Sequence, residues 1–158
     1  MVSTSPATPS PLAGKTALIT GASGALGSDV ARSLVNRGVR VALVARSTDT
    51  LEKLAHDLGG PEHALPISAN VRNLSSITTA AKAAADHFGG IDIVVAGAGM
   101  ATTKYVDAYP GDTFADDIDT NLVGVWRTFK ATLPFVTAAR GHPVSYTHLT
   151  LPTKRIGA

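Results

Sequence analysis

Three glycines recur at every third position in "TGASGALG" (20–27): Gly21, Gly24 and Gly27. The stretch follows "KTALIT" (15–20), a short apolar run that reads as a buried strand, and precedes a helical period. In that setting each glycine has a chemical use. Gly21 permits a tight turn, a glycine near the middle lets backbone approach a pyrophosphate, and Gly27 lets the helix pack closely on the strand. The N–H groups of the first helical turn lack intrahelical partners and face the same place. The chemistry implied is dinucleotide binding, with Ser23, Ala25 and Leu26 as the loop positions between the glycines. A glycine-rich strand-to-helix turn without a ligand is the plain alternative.

The second strand, "VRVALVA" (39–45), ends about 20 residues past the last glycine. There an acid would bind the ribose 2′-hydroxyl of NAD, and an arginine would favour the 2′-phosphate of NADP. The residues are Ala45 and then Arg46. A guanidinium pairs bidentately with phosphate, so NADP(H) is favoured over NAD(H). The alternative for Arg46 is a solvated charge at a strand end.

Alternating strands and helices position these residues. "LGSDVARSLVNRG" carries Leu26, Val30 and Leu34 on one face and stops at Gly38. "DTLEKLAHDLGG" starts at an Asp49–Glu52 capping pair, buries Leu51, Leu54 and Leu58, and stops at Gly59. A third strand covers 64–69 and a third helix carries Ile77, Ala81, Ala84 and Phe88. The fourth strand is "IDIVVA" (91–96). A helical period then runs through Ile118, Leu122, Val125, Phe129 and Leu133. Asn121 and Gly124 interrupt it, which implies two helices, and Pro134 sits near its end. The fold class is therefore α/β: a Rossmann-like, doubly wound parallel sheet with strand order 3-2-1-4 and flanking helices, ending after its fourth strand.

Composition agrees with one globular unit. Of 158 residues, 44% are hydrophobic and 16% charged, and no apolar run reaches the ~20 residues of a membrane span. The absence of cysteine excludes disulfides and thiol catalysis. The five histidines show no metal-ligand spacing, so no metal site is expected. The basic pI of about 9.1 owes its excess to Lys154 and Arg155. Without the tail, 12 basic residues face 12 acidic ones, counting from totals of 14 and 12, and no basic stripe supports nucleic-acid binding. Residues 1–12, "MVSTSPATPSPL", lack the basic and apolar regions of a signal peptide and read as a disordered lead-in. A cytoplasmic protein with no membrane partner is expected.

Taken together, residues 14–142 resemble the short-chain dehydrogenase/reductase family, in its compact one-domain branch. "TGASGALG" resembles the family's glycine motif and "LVARSTDTLEKLA" its NADP-type second strand and helix. "ISANV" falls where the family has an Asp-Val touching adenine, which assigns Asn70 and Val71. "IVVAGAG" falls where it has Asn-Asn-Ala-Gly, which assigns Ala96, Gly97 and Ala98. "DTNLVGVWRTFKATLPF" resembles the helix that carries the family's active-site asparagine, here Asn121. There are departures. The glycine spacing is that of the extended branch, Asn70 replaces an Asp, and Ala96 with Gly97 replaces both asparagines. The resemblance implies hydride transfer between a nicotinamide and a small carbonyl or alcohol substrate, in a full-length form that is a homo-oligomer. It also implies a general acid/base tyrosine with a lysine four residues on, a serine, and an asparagine that anchors a water. A different class, a non-catalytic dinucleotide-binding redox sensor, stays open on the glycine spacing and the missing asparagines.

The chain ends "GHPVSYTHLTLPTKRIGA", where the family would continue with a fifth strand, the serine and Tyr-x-x-x-Lys. Ser145, Tyr146 and Lys154 do not form that set. Tyr146 and Lys154 are eight residues apart, about 12 Å along a helix, and Pro152 interrupts any helix between them. One frame of a transposon-end adapter used in sequencing libraries translates to Val-Ser-Tyr-Thr-His-Leu-Thr-Leu-Pro-Thr, which is residues 144–153 without a mismatch. Residues 13–142 are thus expected to be an incomplete nucleotide-binding domain. Residues 143–158 are expected to be a non-native tail, the fourth strand an open edge, and the chain inactive without the serine, tyrosine and lysine. A native tail that forms an improvised fifth strand is the alternative, since "PVSYTHL" alternates.

Overall fold

A computed structural model describes residues 10–101 and 105–145. Five parallel strands form one sheet in the order β3-β2-β1-β4-β5. They are β1 (Thr16–Thr20), β2 (Arg40–Ala45), β3 (Ala64–Ser68), β4 (Ile93–Ala96) and β5 (His142–Ser145). Helices α1 (Ala25–Val35), α2 (Thr48–Asp57) and α3 (Leu74–Phe88) follow the first three strands. Between β4 and β5 come a 3-10 turn (Val106–Ala108), α4 (Gly111–Ile118), a π-helical turn (Asp119–Val123) and α5 (Gly124–Ala139).

Side chains of successive strand residues leave the sheet on opposite faces, and two cores result. Ala17, Ile19, Val41 and Leu43 meet Leu51 and Leu54 of α2 on one face. Leu18, Ala42, Val44 and Val94 meet Ile77, Ala81 and Phe88 of α3, with Ala131 and Val136 of α5, on the other. Asn73 caps α3 by accepting the Ser76 N–H at 3.0 Å, and Gly89 ends it in the left-handed region at φ 86°. No helix among the described residues is long and apolar enough to cross a membrane.

Several expectations are corrected. The sheet does not stop at β4. His142–Ser145 pairs with Ile93–Ala96, and the His142 N–H donates to the Asp92 carbonyl at 2.8 Å. Pro143 fits there because β5 is an edge strand, where a missing N–H is tolerated. Ser47, not Asp49, holds the N-cap position of α2, and Asp49 lies within the first turn, where its negative charge complements the positive end of the helix dipole. Leu26 is 49% exposed; α1 buries Gly27 and Ala31 instead. Pro134 lies inside α5, near its end as expected.

The largest correction concerns the face of α4 and α5. Ile118, Leu122 and Leu133 are exposed, while α5 buries Gly124, Thr128, Ala131, Thr132 and Val136. The small residues let the helix close on the sheet and on α3. The two threonine hydroxyls donate to the carbonyls of Gly124 and Thr128 at 2.8 Å each, so their burial leaves no polar group unmet. Tyr146, Lys154 and the rest of 146–158, like residues 1–9 of the lead-in, lie outside the described residues.

Candidate functional site

The carboxyl ends of β1, β2, β3 and β4 open onto a cleft of about 820 Å³. That is the ligand position expected for an open parallel sheet, between strands whose connections leave on opposite faces. Its walls are the glycine loop, the end of β2, the loop after β3 and the loop after β4, with Asp116 and Thr120 contributed from beyond α4's middle.

Two of the three loop glycines are required by the fold itself. Gly21 has φ 72°, and a Cβ there would lie 2.6 Å from the Gly97 carbonyl oxygen. A Cβ on Gly27 would lie 2.3 Å from the Gly21 carbonyl oxygen. Gly24 differs: its φ of −81° suits any residue, and a Cβ would meet only the Gly21 oxygen, at an ordinary 3.4 Å. The chain itself therefore does not demand glycine at 24, which borders the cleft. Gly24 is also the N-cap of α1; no side chain caps this helix and its first turn holds no acid. Its first N–H groups are left for an anion.

Of the residues expected from the sequence, Gly21, Ser23, Gly24, Ala25, Leu26, Gly27, Arg46, Asn70, Val71, Gly97 and Ala98 all line this one cleft. Ala96 is buried in β4 and does not. Asn121 does not line it either. Its Oδ1 accepts the Met100 N–H at 2.9 Å and its Nδ2 donates to the Met100 carbonyl at 2.7 Å, so its amide is spent on holding the loop after β4. The Ala98 N–H donates to Thr20 Oγ1 at 3.3 Å and ties the same loop to β1. Asn70 uses Oδ1 to accept the Arg72 N–H at 3.0 Å, which leaves its Nδ2 as the end that can meet a ligand. Val71 is buried against Gly124, where a Cβ would lie 2.9 Å from Val71 Cγ2.

Charge in the cleft is unevenly committed. The Arg72 guanidinium pairs with Asp116, and its Nε donates to Asp119 at 3.0 Å. Arg127 also holds Asp119, at 2.8 Å. Hydrogen bonding to Asp116 and then Asp119 raises Arg72 above its ordinary value. The Arg127 and then Arg72 guanidiniums lower Asp119 below the usual carboxylate range. Arg46 is exposed, with no side-chain ion pair among the described residues. Ser47 lines the cleft beside it, its hydroxyl making no capping bond. Ser47, Arg72, Met100, Asp116 and Thr120 escaped the sequence reading. Ser47 was legible as the small polar residue before α2, while Asp116 and Thr120 reach the cleft only through the packing of α4 and the π-turn.

This geometry agrees with the comparisons. A sequence model described as short chain dehydrogenase matches residues 15–145. The chain belongs to the short-chain dehydrogenase family. Oxidoreductase UcpA of Salmonella typhimurium is 41% identical over 125 residues, 78% of this chain and 47% of that protein. Among solved structures, an alcohol dehydrogenase from Thermococcus sibiricus complexed with 5-hydroxy-NADP superposes with a TM-score of 0.78 at 37% identity, over 83% of this chain and 57% of that one. A 3-ketoacyl-(acyl-carrier-protein) reductase from Brucella melitensis complexed with NADH superposes with a TM-score of 0.75 at 29% identity, over 78% and 51%. The chain spans about half the length of the curated relatives it matches. Membership in an oxidoreductase family does not favour the redox-sensor reading.

Proposed function

We propose that the protein is an NADP-dependent oxidoreductase that moves a hydride between the nicotinamide and a small carbonyl or alcohol substrate. The observation that carries this reading is the Arg46 guanidinium, without an ion pair among the described residues, which lines the same cleft as Ser47 at the N-terminus of α2 and as the glycine loop. A 2′-phosphate there gains a charge-assisted bond, while Ala45 offers no carboxylate to a bare ribose hydroxyl. The uncapped first turn of α1, which starts at Gly24, would hold the pyrophosphate. Asn70 and Val71 would border the adenine, and Gly97 and Ala98 the ribose side. The nicotinamide, when bound, supplies the hydride chemistry. Asn121 acts at one remove, by fixing Met100 and the loop that carries Gly97 and Ala98.

Residues 1–158 bind the dinucleotide without turning it over. Their three tyrosines, Tyr105, Tyr109 and Tyr146, have Tyr109, Thr113 and Thr150 four residues on, so none has a lysine one helical turn away to lower its pKa. Full activity belongs to a form that carries the serine and Tyr-x-x-x-Lys. We also propose that this form is a homo-oligomer built on α4 and α5. Phe114, Ile118, Leu122 and Trp126 recur every fourth residue and are exposed, as is Leu133. Two copies crossing antiparallel between Leu122 and Trp126 set Phe114 against Leu133, an isologous arrangement. Calorimetric titration of the 158-residue chain with NADPH and with NADH tests the binding reading: tighter NADPH binding supports it, and equal or weaker NADPH binding refutes the NADP preference.

A further inference from the structure

Arg72, from the loop after β3, and Asp116, from α4, both line the cleft and form an ion pair with one another on its wall. Their side chains are 40% and 46% exposed, so the pair lies in the open part of the cleft and its field reaches a ligand there. Asp119 carries a second negative charge at the end of α4, shared between Arg72 and Arg127. Two guanidiniums thus balance two carboxylates, and the group is neutral as a whole. We infer that Arg72 is a charge-compensating residue of the cofactor cleft: it cancels Asp116 so that no free carboxylate faces the dinucleotide phosphates. This rests on the dinucleotide reading of the site and adds a residue that the glycine loop and the β2 end do not include. The arrangement also divides labour between the two cleft arginines. Arg46, with no ion pair among the described residues, can take a ligand phosphate, while Arg72 is committed to carboxylates.

Removing Arg72 leaves Asp116 unpaired beside a polyanion. Repulsion between unit charges several ångströms apart in a half-exposed cleft weakens binding by about five- to tenfold at low salt, and added salt screens it. The test is NADPH titration of the 158-residue chain and of Arg72→Leu, Asp116→Asn and the double variant, at low and high ionic strength, with a thermal melt of each. Arg72→Leu is expected to lose about five- to tenfold in NADPH affinity at low salt, with the loss shrinking at high salt. The double variant is expected to recover most of it, and Asp116→Asn alone to bind no more weakly than the parent. Should Arg72→Leu fail to fold, Asp116→Asn decides: a purely structural clamp would weaken binding when Asp116 loses its charge. Parent binding together with an unaffected Arg72→Leu, a salt-independent loss, or no recovery in the double variant overturns this inference and leaves the dinucleotide site standing. A parent chain that binds no dinucleotide overturns both.

Discussion

The carbonyl oxygen of Gly21 stands 2.3 Å from the position a Cβ on Gly27 would occupy, so the turn out of β1 and the first turn of α1 touch backbone to backbone. That contact aims the uncapped end of α1 into the cleft. Gly24, between them, meets no such obstacle. One eight-residue stretch therefore contains glycines of two kinds, two that the fold requires and one that only a ligand would require.

Substitution separates the two kinds. Gly27→Ala is expected to destabilise the chain by about 3 kcal/mol, because backbone must move to admit the methyl group. Gly24→Ala is expected to stay within about 1 kcal/mol of the parent, yet to weaken NADPH binding about tenfold by filling the approach to the pyrophosphate. Urea unfolding and titration on the same preparations check both. Equal stability losses at the two positions would contradict the distinction.

Arg46→Ala is expected to weaken NADPH binding by about ten- to a hundredfold, the worth of a charge-assisted bond to phosphate. NADH binding should change less than about twofold. A parallel fall for both dinucleotides would place Arg46 away from the 2′-phosphate.

Acid stability is expected to depend on Asp92 at the opposite end of the sheet. Burial alone would raise this carboxyl. Its bonds from Lys15 Nζ at 2.7 Å and from the Thr16 N–H at 2.9 Å outweigh burial and hold it below the usual carboxylate range. A carboxyl depressed in the folded state stabilises above its unfolded value of about 3.9 and loses that contribution as pH falls through the folded value. The urea midpoint of the parent should therefore fall with pH below about 4. Asp92→Asn should cost about 1–2 kcal/mol at neutral pH and show a shallower acid decline. An unchanged slope in the variant would contradict the assignment.

Trp126→Glu is expected to convert an oligomeric chain to monomer in sedimentation velocity without loss of the helical circular-dichroism signal. Lys130 lies 4.7 Å above the Trp126 ring, so a glutamate there gains a local partner and need not unfold the helix. An oligomer that survives the substitution would place the interface elsewhere.

Much of this was legible in the sequence, for identifiable reasons. Buried parallel strands read as short apolar runs, and their order followed from right-handed crossovers. The glycine loop, Arg46, Asn70 and Gly97 converge because strand ends of one sheet open on one side. What failed was local hydrophobicity as a guide to burial. In α5 the buried face is Thr128, Thr132 and Gly124, chosen for size, while Leu122 and Trp126 face outward. Strand β5 is legible only as the alternative that the alternating tail offers, because four residues containing Pro143 carry little signal until β4 is beside them to pair with. Arg72 and Asp116, 44 residues apart, meet only through the packing of α5 on α3, which no local pattern announces.

Isothermal titration of the unmodified 158-residue chain with NADPH and with NADH, side by side at one salt concentration, bears most directly on the central claim. Saturable uptake of NADPH at one site per chain, at least about tenfold tighter than NADH, is the result this account predicts. No heat from either dinucleotide would contradict the binding site itself, and preference for NADH would contradict the role given to Arg46.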